Sequence, residues 1–165
     1  MNAHYNNYPP YIPLLRTICN ICLVTIGIIT LAHIHIWLVI LYCIYCSLAA
    51  FVIMPKLRCT KCFYHTRLCS TGFSLIARRF YKHKENALFK KGAWHNIFLI
   101  PIAFFPLGGG IYLLLFHPSL KHIMLLFLVA LSIAAILIEH GCLGCSQCKE
   151  LDQCIARTVI KKHQD

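Results

Sequence analysis

Apolar residues run along this chain in four long blocks, not in the period-two alternation of half-buried strands. The blocks cover residues 12–32, 36–54, 97–116 and 123–139. Each is close to the roughly 20 mostly apolar residues that a helix needs to cross a bilayer core. Only His33, Ile34 and His35 separate the first two blocks, with no Gly or Pro to mark a turn. A single helix over 12–54 would run roughly 65 Å at about 1.5 Å per residue. That is about twice a bilayer core of about 30 Å, so two crossings are expected. The last two blocks are joined by the tight polar turn HPSLKH, His117 to His122. The pattern predicts an all-α membrane protein: one domain over 1–165, with four transmembrane helices arranged as two hairpins. A loop at 55–95 and a tail at 140–165 complete it.

Charge orients this plan. Sixteen Lys and Arg stand against five acidic residues. Ten of the cations lie between residues 55 and 95: Lys56, Arg58, Lys61, Arg67, Arg78, Arg79, Lys82, Lys84, Lys90 and Lys91. The tail adds Lys149, Arg157, Lys161 and Lys162, whereas the two short turns hold only Lys121. Cationic loops stay on the cytoplasmic side, so a multi-pass protein with loop and both termini in the cytoplasm is expected. The first fifteen residues carry no Lys or Arg, which reads as a retained first span rather than a cleaved signal. Cations beside membrane helices are accounted for by anionic headgroups, so the lipid bilayer is the expected partner and nucleic acid is not. Within the loop, Phe73, Ile76, Phe80 and Leu88 share a helical face among the cations, the pattern of an interfacial amphipathic helix.

The chemistry is carried by cysteine. CTKCFYHTRLC places Cys59, Cys62 and Cys69 directly after the second span, and GCLGCSQCKELDQC places Cys142, Cys145, Cys148 and Cys154 after the fourth. CTKC and CSQC match in character, and each begins five residues after a hairpin, counted from Met54 and from His140. The chain therefore reads as one unit used twice, a hairpin followed by a cytoplasmic cysteine knuckle, and the two knuckles are expected to meet on one side of the membrane. Ordered thiols in a reducing compartment favour metal or redox chemistry over structural disulfides. Two C-x2-C pairs can supply the four thiolates of a zinc site.

The six-thiol spacing resembles the two-zinc, six-cysteine cluster of fungal DNA-binding modules, in ligand spacing alone. It implies that Cys59, Cys62, Cys69, Cys145, Cys148 and Cys154 could hold two ions. The run Cys142, Cys145, Cys148 resembles the C-x2-C-x2-C of bacterial ferredoxins, which implies an iron–sulfur cluster as the competing cofactor. Ferredoxins place the fourth cysteine three residues on and follow it with Pro; here Cys154 comes after five residues and is followed by Ile155, and Cys59, Cys62 or Cys69 could supply the fourth ligand. His65 and His140, beside the two knuckles, are further metal-ligand candidates. Haem is not expected, since His33, His35, His117 and His122 sit at the turns, where polar interfacial residues belong.

Two more C-x2-C pairs, Cys19/Cys22 and Cys43/Cys46, lie inside the first two spans. Packing accounts for them. The alternative is a soft-metal relay across the membrane. In plan, a C-x2-C in the first span with thiols on the inner side resembles the bacterial mercury-uptake proteins, which implies transport. Arg16 is expected to snorkel to water from the end of its span. Pro101 and Pro106 should kink the third span, and any backbone carbonyl they free needs a partner at membrane depth. No Ser–His–Asp, paired-carboxylate, Walker or dinucleotide pattern is visible. An accessory or electron-transfer subunit that binds zinc or an iron–sulfur cluster, working with other membrane subunits or with its own copies, is expected rather than a complete enzyme.

Overall fold

The structure is a computed structural model that describes residues 5–83 and 94–149. The amphipathic pattern beyond residue 83 and Cys154 lie outside the described residues. All regular structure is helical, with no strand among the described residues. Helix α1 spans Tyr11–Ala32 and α2 spans Ile36–Leu48. A π-helical turn at Ala49–Ile53 carries α2 into the short α3, Met54–Leu57. After two 3-10 turns comes α4, Phe73–Phe80. A 3-10 segment, Trp94–Leu99, leads into α5, Ile100–Phe116, and α6 spans Leu120–Glu139 before a π-helical extension at His140–Cys145.

Four of these continuous helical stretches are long and apolar enough to cross a membrane. Their outer surfaces carry large apolar side chains such as Leu115, Phe116, Phe127 and Leu137. Apolar exposure on this scale is not what a water-facing surface presents. Among the described residues the first helix is the hub: α1 packs against α2, α5 and α6, while α2 makes its main contacts to the other long helices with α1 and α5.

The turns are built by capping. His35 sits in extended backbone and accepts from the Trp37 amide at the start of α2, and Ser119 does the same for the His122 amide at the start of α6. Each closes an amide that a helix start leaves without a partner. The rings of His33 and His122 meet edge to face at 5.6 Å, which joins the two turns into one histidine-rich end.

The proline-bearing third span shows why it tolerates its breaks. Pro106 has no N–H to give the carbonyl of Ile102 four residues back. Tyr42 of α2 supplies the missing donor, its hydroxyl bonding the Ile102 carbonyl at 2.9 Å. Tyr45, one turn further on, bonds the Phe98 carbonyl at 2.6 Å, below Pro101. Gly27 of α1 makes room for this contact: a Cβ there would stand 2.9 Å from the Tyr42 hydroxyl and 3.2 Å from Pro106. One glycine, two tyrosines and two prolines thus form a single packing solution among three helices.

Candidate functional site: the thiol end of the bundle

Opposite the histidine-rich end, three separate stretches of chain interlock. The N-terminal segment before α1 runs as a strap across the other two. The Tyr5 amide bonds the Gln147 carbonyl at 3.2 Å, and the Tyr8 amide bonds the Leu68 carbonyl at 3.1 Å. The Tyr8 hydroxyl donates to the Gly144 carbonyl. Tyr64 answers from the first cysteine segment: its hydroxyl donates to the Tyr5 carbonyl at 2.7 Å and accepts from the Lys149 amide at 3.2 Å. Phe63 lies under two cations, Arg67 and Lys149, each 4.7 Å from its ring centre.

Tyr8, Ile12, Tyr64 and Cys69 form the buried centre of this end, and Cys62, Leu143 and Cys148 pack against it. Cys62 from the first segment and Cys148 from the second therefore share one core, although residues 70–144 separate the segments in sequence. None of the ten described cysteines is in a disulfide. Among the described residues, no three Cys, His, Asp or Glu side chains stand together as a metal-binding group.

The thiols differ in character. Burial pushes the Cys62 thiol well up, and the neighbouring Cys69 and Cys148 add to this. Burial opposes ionisation of Cys69 too, but hydrogen bonds from Ser74 and Thr71 outweigh it and leave this thiol below its ordinary value. The local fold arranges that. Gly72 takes a left-handed φ of 74°, which few other residues adopt without strain. The turn it makes brings Thr71 Oγ1 to 3.2 Å from Cys69 Sγ and starts α4, so that Ser74 Oγ lies 3.3 Å from the Cys69 amide. Cys59 is buried beside Cys69, whereas Cys142 is exposed.

The histidines within or beside the two cysteine segments also differ. His65 is buried, with Nε2 3.0 Å from the Tyr81 carbonyl. That bond places a ring proton on Nε2, and the buried Nδ1 has no hydrogen-bond partner. The His83 ring lies beside it, 4.9 Å between centres. His140 stands in a different network, one that sequence reasoning missed. Arg16 does not snorkel to water. It is 7% exposed, and its Nη1 lies 2.6 Å from His140 Nδ1 and 3.3 Å from Glu139 Oε2. The carboxylate of Glu139 is held by charge alone, since neither of its oxygens has a hydrogen-bond partner. His140 Nε2 is 3.3 Å from Cys145 Sγ, so the chain of contacts ends on a thiol. An Arg and a Glu at opposite ends of the sequence gave no pairing signal. Their only common feature was that each was a lone ion at the end of an apolar block.

The pairs within the spans have other surroundings. Cys22 is exposed on α1, and Cys19, Cys43 and Cys46 are half-buried. On α2 it is Tyr42, not either cysteine, that is buried against α1. An apolar groove of about 390 Å³ opens beside Gly108, lined by Leu31, Leu38 and Phe105 among others.

No protein-family model, curated protein or solved structure matches the chain.

Proposed function

We propose that this chain is an integral membrane metal-binding protein. Its thiol end binds zinc or an iron–sulfur cluster on the cytoplasmic side, and it serves as an accessory or electron-transfer subunit of a membrane complex. One observation carries the reading: Cys62 and Cys148, from segments far apart in sequence, pack against the same Tyr8–Tyr64 core. Apolar side chains would fill such a core with less chemical liability than thiols brought in from two distant segments. Cys59, Cys69 and Cys145 stand nearby, and His65 offers a buried, unpartnered Nδ1. These are soft and borderline donors suited to either cofactor. An ion joining both segments would couple its binding energy to the assembled bundle.

The cations gathered around 55–95 support a cytoplasmic thiol end. Impermeant thiol reagents should then miss Cys59, Cys62, Cys69, Cys145 and Cys148 in intact cells. Labelling of either segment from outside would reverse the topology. Protein purified without oxygen should carry stoichiometric metal, colourless if zinc and coloured if iron–sulfur. Neither bound metal nor a visible band would remove the proposal.

A further inference from the structure

Three glycines stand in a row on α5, at 108, 109 and 110, and their surroundings differ. A Cβ at Gly109 would meet Leu31 at 3.0 Å and Ile34 at 3.3 Å, and one at Gly110 would meet Leu126 at 3.0 Å. Close helix approach accounts for both. A Cβ at Gly108 would meet nothing within 4 Å. Glycine inside a helix costs about 1 kcal/mol against alanine, and no side chain among the described residues requires it here. What lies over Gly108 is the apolar groove of about 390 Å³, with Ile34 and Leu38 on its other side. Phe104 and Tyr112, one turn before and one turn after Gly108, form its rim and are 64% and 44% exposed. Side chains standing that proud hold a neighbouring helix off the glycine but leave room for a thin chain. Apart from the Tyr112 hydroxyl the lining has no polar side chain, so the groove lacks the polar partners that a held water needs.

The groove begins at the histidine-rich end, since Ile34 is the residue between His33 and His35. That end is basic without compensation. It carries His33, His35, His117, Lys121 and His122, whereas the acidic residues Glu85, Glu139, Glu150, Asp152 and Asp165 fall in the loop, at the opposite end of α6 or in the tail. His33 and His122 donate their Nδ1–H to the carbonyls of Ile29 and His117, at 2.7 and 2.6 Å. Those bonds leave Nε2 of each ring unused, and an anion near these nitrogens would favour their charged form. We infer that the groove seats one acyl chain of an anionic phospholipid whose phosphate lies at the histidine-rich end. The inference needs the four long helices to cross a bilayer and makes no use of the thiol end.

Native mass spectrometry of the full-length protein tests this, with the protein released from detergent after titration with phosphatidylglycerol or with phosphatidylcholine of the same chains. The wild type should retain one phosphatidylglycerol in preference to phosphatidylcholine. Gly108→Leu puts a side chain where the acyl chain would lie and should lower that retention about tenfold, the loss expected from uncovering about two methylene groups. It should fold, because a Cβ at 108 meets no neighbour and leucine favours a helix; an unchanged melting temperature in detergent checks that. Gly108→Ala, a smaller filling, should give a smaller loss and serves if the leucine variant does not fold. Leu137→Phe, on the exposed apolar surface at the opposite end of α6, should retain the lipid as the wild type does. Lys121→Gln combined with His33→Gln should remove the preference for phosphatidylglycerol and leave retention of phosphatidylcholine unaltered. Phosphatidylglycerol retention that neither Gly108 variant lowers would overturn the inference, and so would equal retention of the two lipids by the wild type. A wild-type dimer that Gly108→Leu dissociates would make the occupant a second copy of the chain and overturn it as well.

Discussion

The same spacing, C-x2-C, occurs in two kinds of surroundings in this molecule. At 19/22 and 43/46 the cysteines sit along apolar helices, half-buried or exposed, while neighbours such as Tyr42 make the helix contacts. At 59/62 and 145/148 they lie where three chain segments lock together, among tyrosines, an Arg–Glu pair and two histidines with defined hydrogen bonds. Spacing alone does not make a site. What separates the two groups is how the sulfur's partners are held: at the thiol end the local partners Thr71, Ser74 and His140 lie where Tyr8 and Arg16 reach in from far along the chain, whereas the partner of Cys46 is Tyr42, one turn back on the same helix.

The sharpest break of this comparison is metal content. Cys62→Ser and Cys148→Ser should each lose most bound metal, because Ser is close to Cys in shape but a poor ligand for a soft or borderline ion. Cys22→Ser and Cys43→Ser should retain it. Intact metal in both knuckle variants would erase the distinction, and a selective loss of metal uptake by cells carrying Cys43→Ser would point to transport through the spans.

Next in size is the buried ion pair. Arg16→Leu leaves Glu139 buried without its counter-charge, which should cost about 3 kcal/mol. Adding Glu139→Gln should return part of that loss. Unfolding in detergent measures both, and a neutral Arg16→Leu would show that the pair carries no structural weight.

A smaller effect is expected where the thiol end has no part. Tyr42→Phe removes the donor to the Ile102 carbonyl beneath Pro106 and should cost about 1 kcal/mol, in the range of hydrogen bonds between membrane helices. Metal content should not change. A parallel loss of metal would mean that the two regions are coupled.

The finest distinction lies within the thiol end. In metal-free protein, the lowered Cys69 thiol should form thiolate, and so react with a small alkylating reagent, at lower pH than the raised Cys62 thiol. Mass spectrometry of protein alkylated across a pH series would read the order, and Cys62 reacting first would contradict it.

Much of the architecture was legible from residue order because the bilayer imposes a simple rule, and four apolar blocks of the right length translate directly into four long helices. The partner for the carbonyl below Pro106 was foreseeable as a need, but its identity was not, since Tyr42 reads as one more aromatic residue in an apolar block. The contributions of Tyr5 and Tyr8 were hidden for another reason. An irregular strap has no period to detect, and the bonds that the Tyr5 and Tyr8 amides and the Tyr8 hydroxyl donate go to backbone carbonyls, which carry no side-chain signature. The Arg16–Glu139 pair escaped because a lone cation and a lone carboxylate at helix ends look the same whether they face water or each other.

The strap also bears on the order in which the molecule can be completed. Tyr8 leaves the ribosome early, yet the Gly144 carbonyl that its hydroxyl bonds is made only after all four spans. Through most of synthesis the first cysteine segment is present without its closing partner. Tyr64 has Tyr5 to bond but not Lys149. The contacts of the thiol end therefore close only once both cysteine segments have been made. An ion shared by both cysteine segments, as proposed above, would be captured only after the second segment is made, so the supply of ion at that late point would govern how much of the protein is loaded.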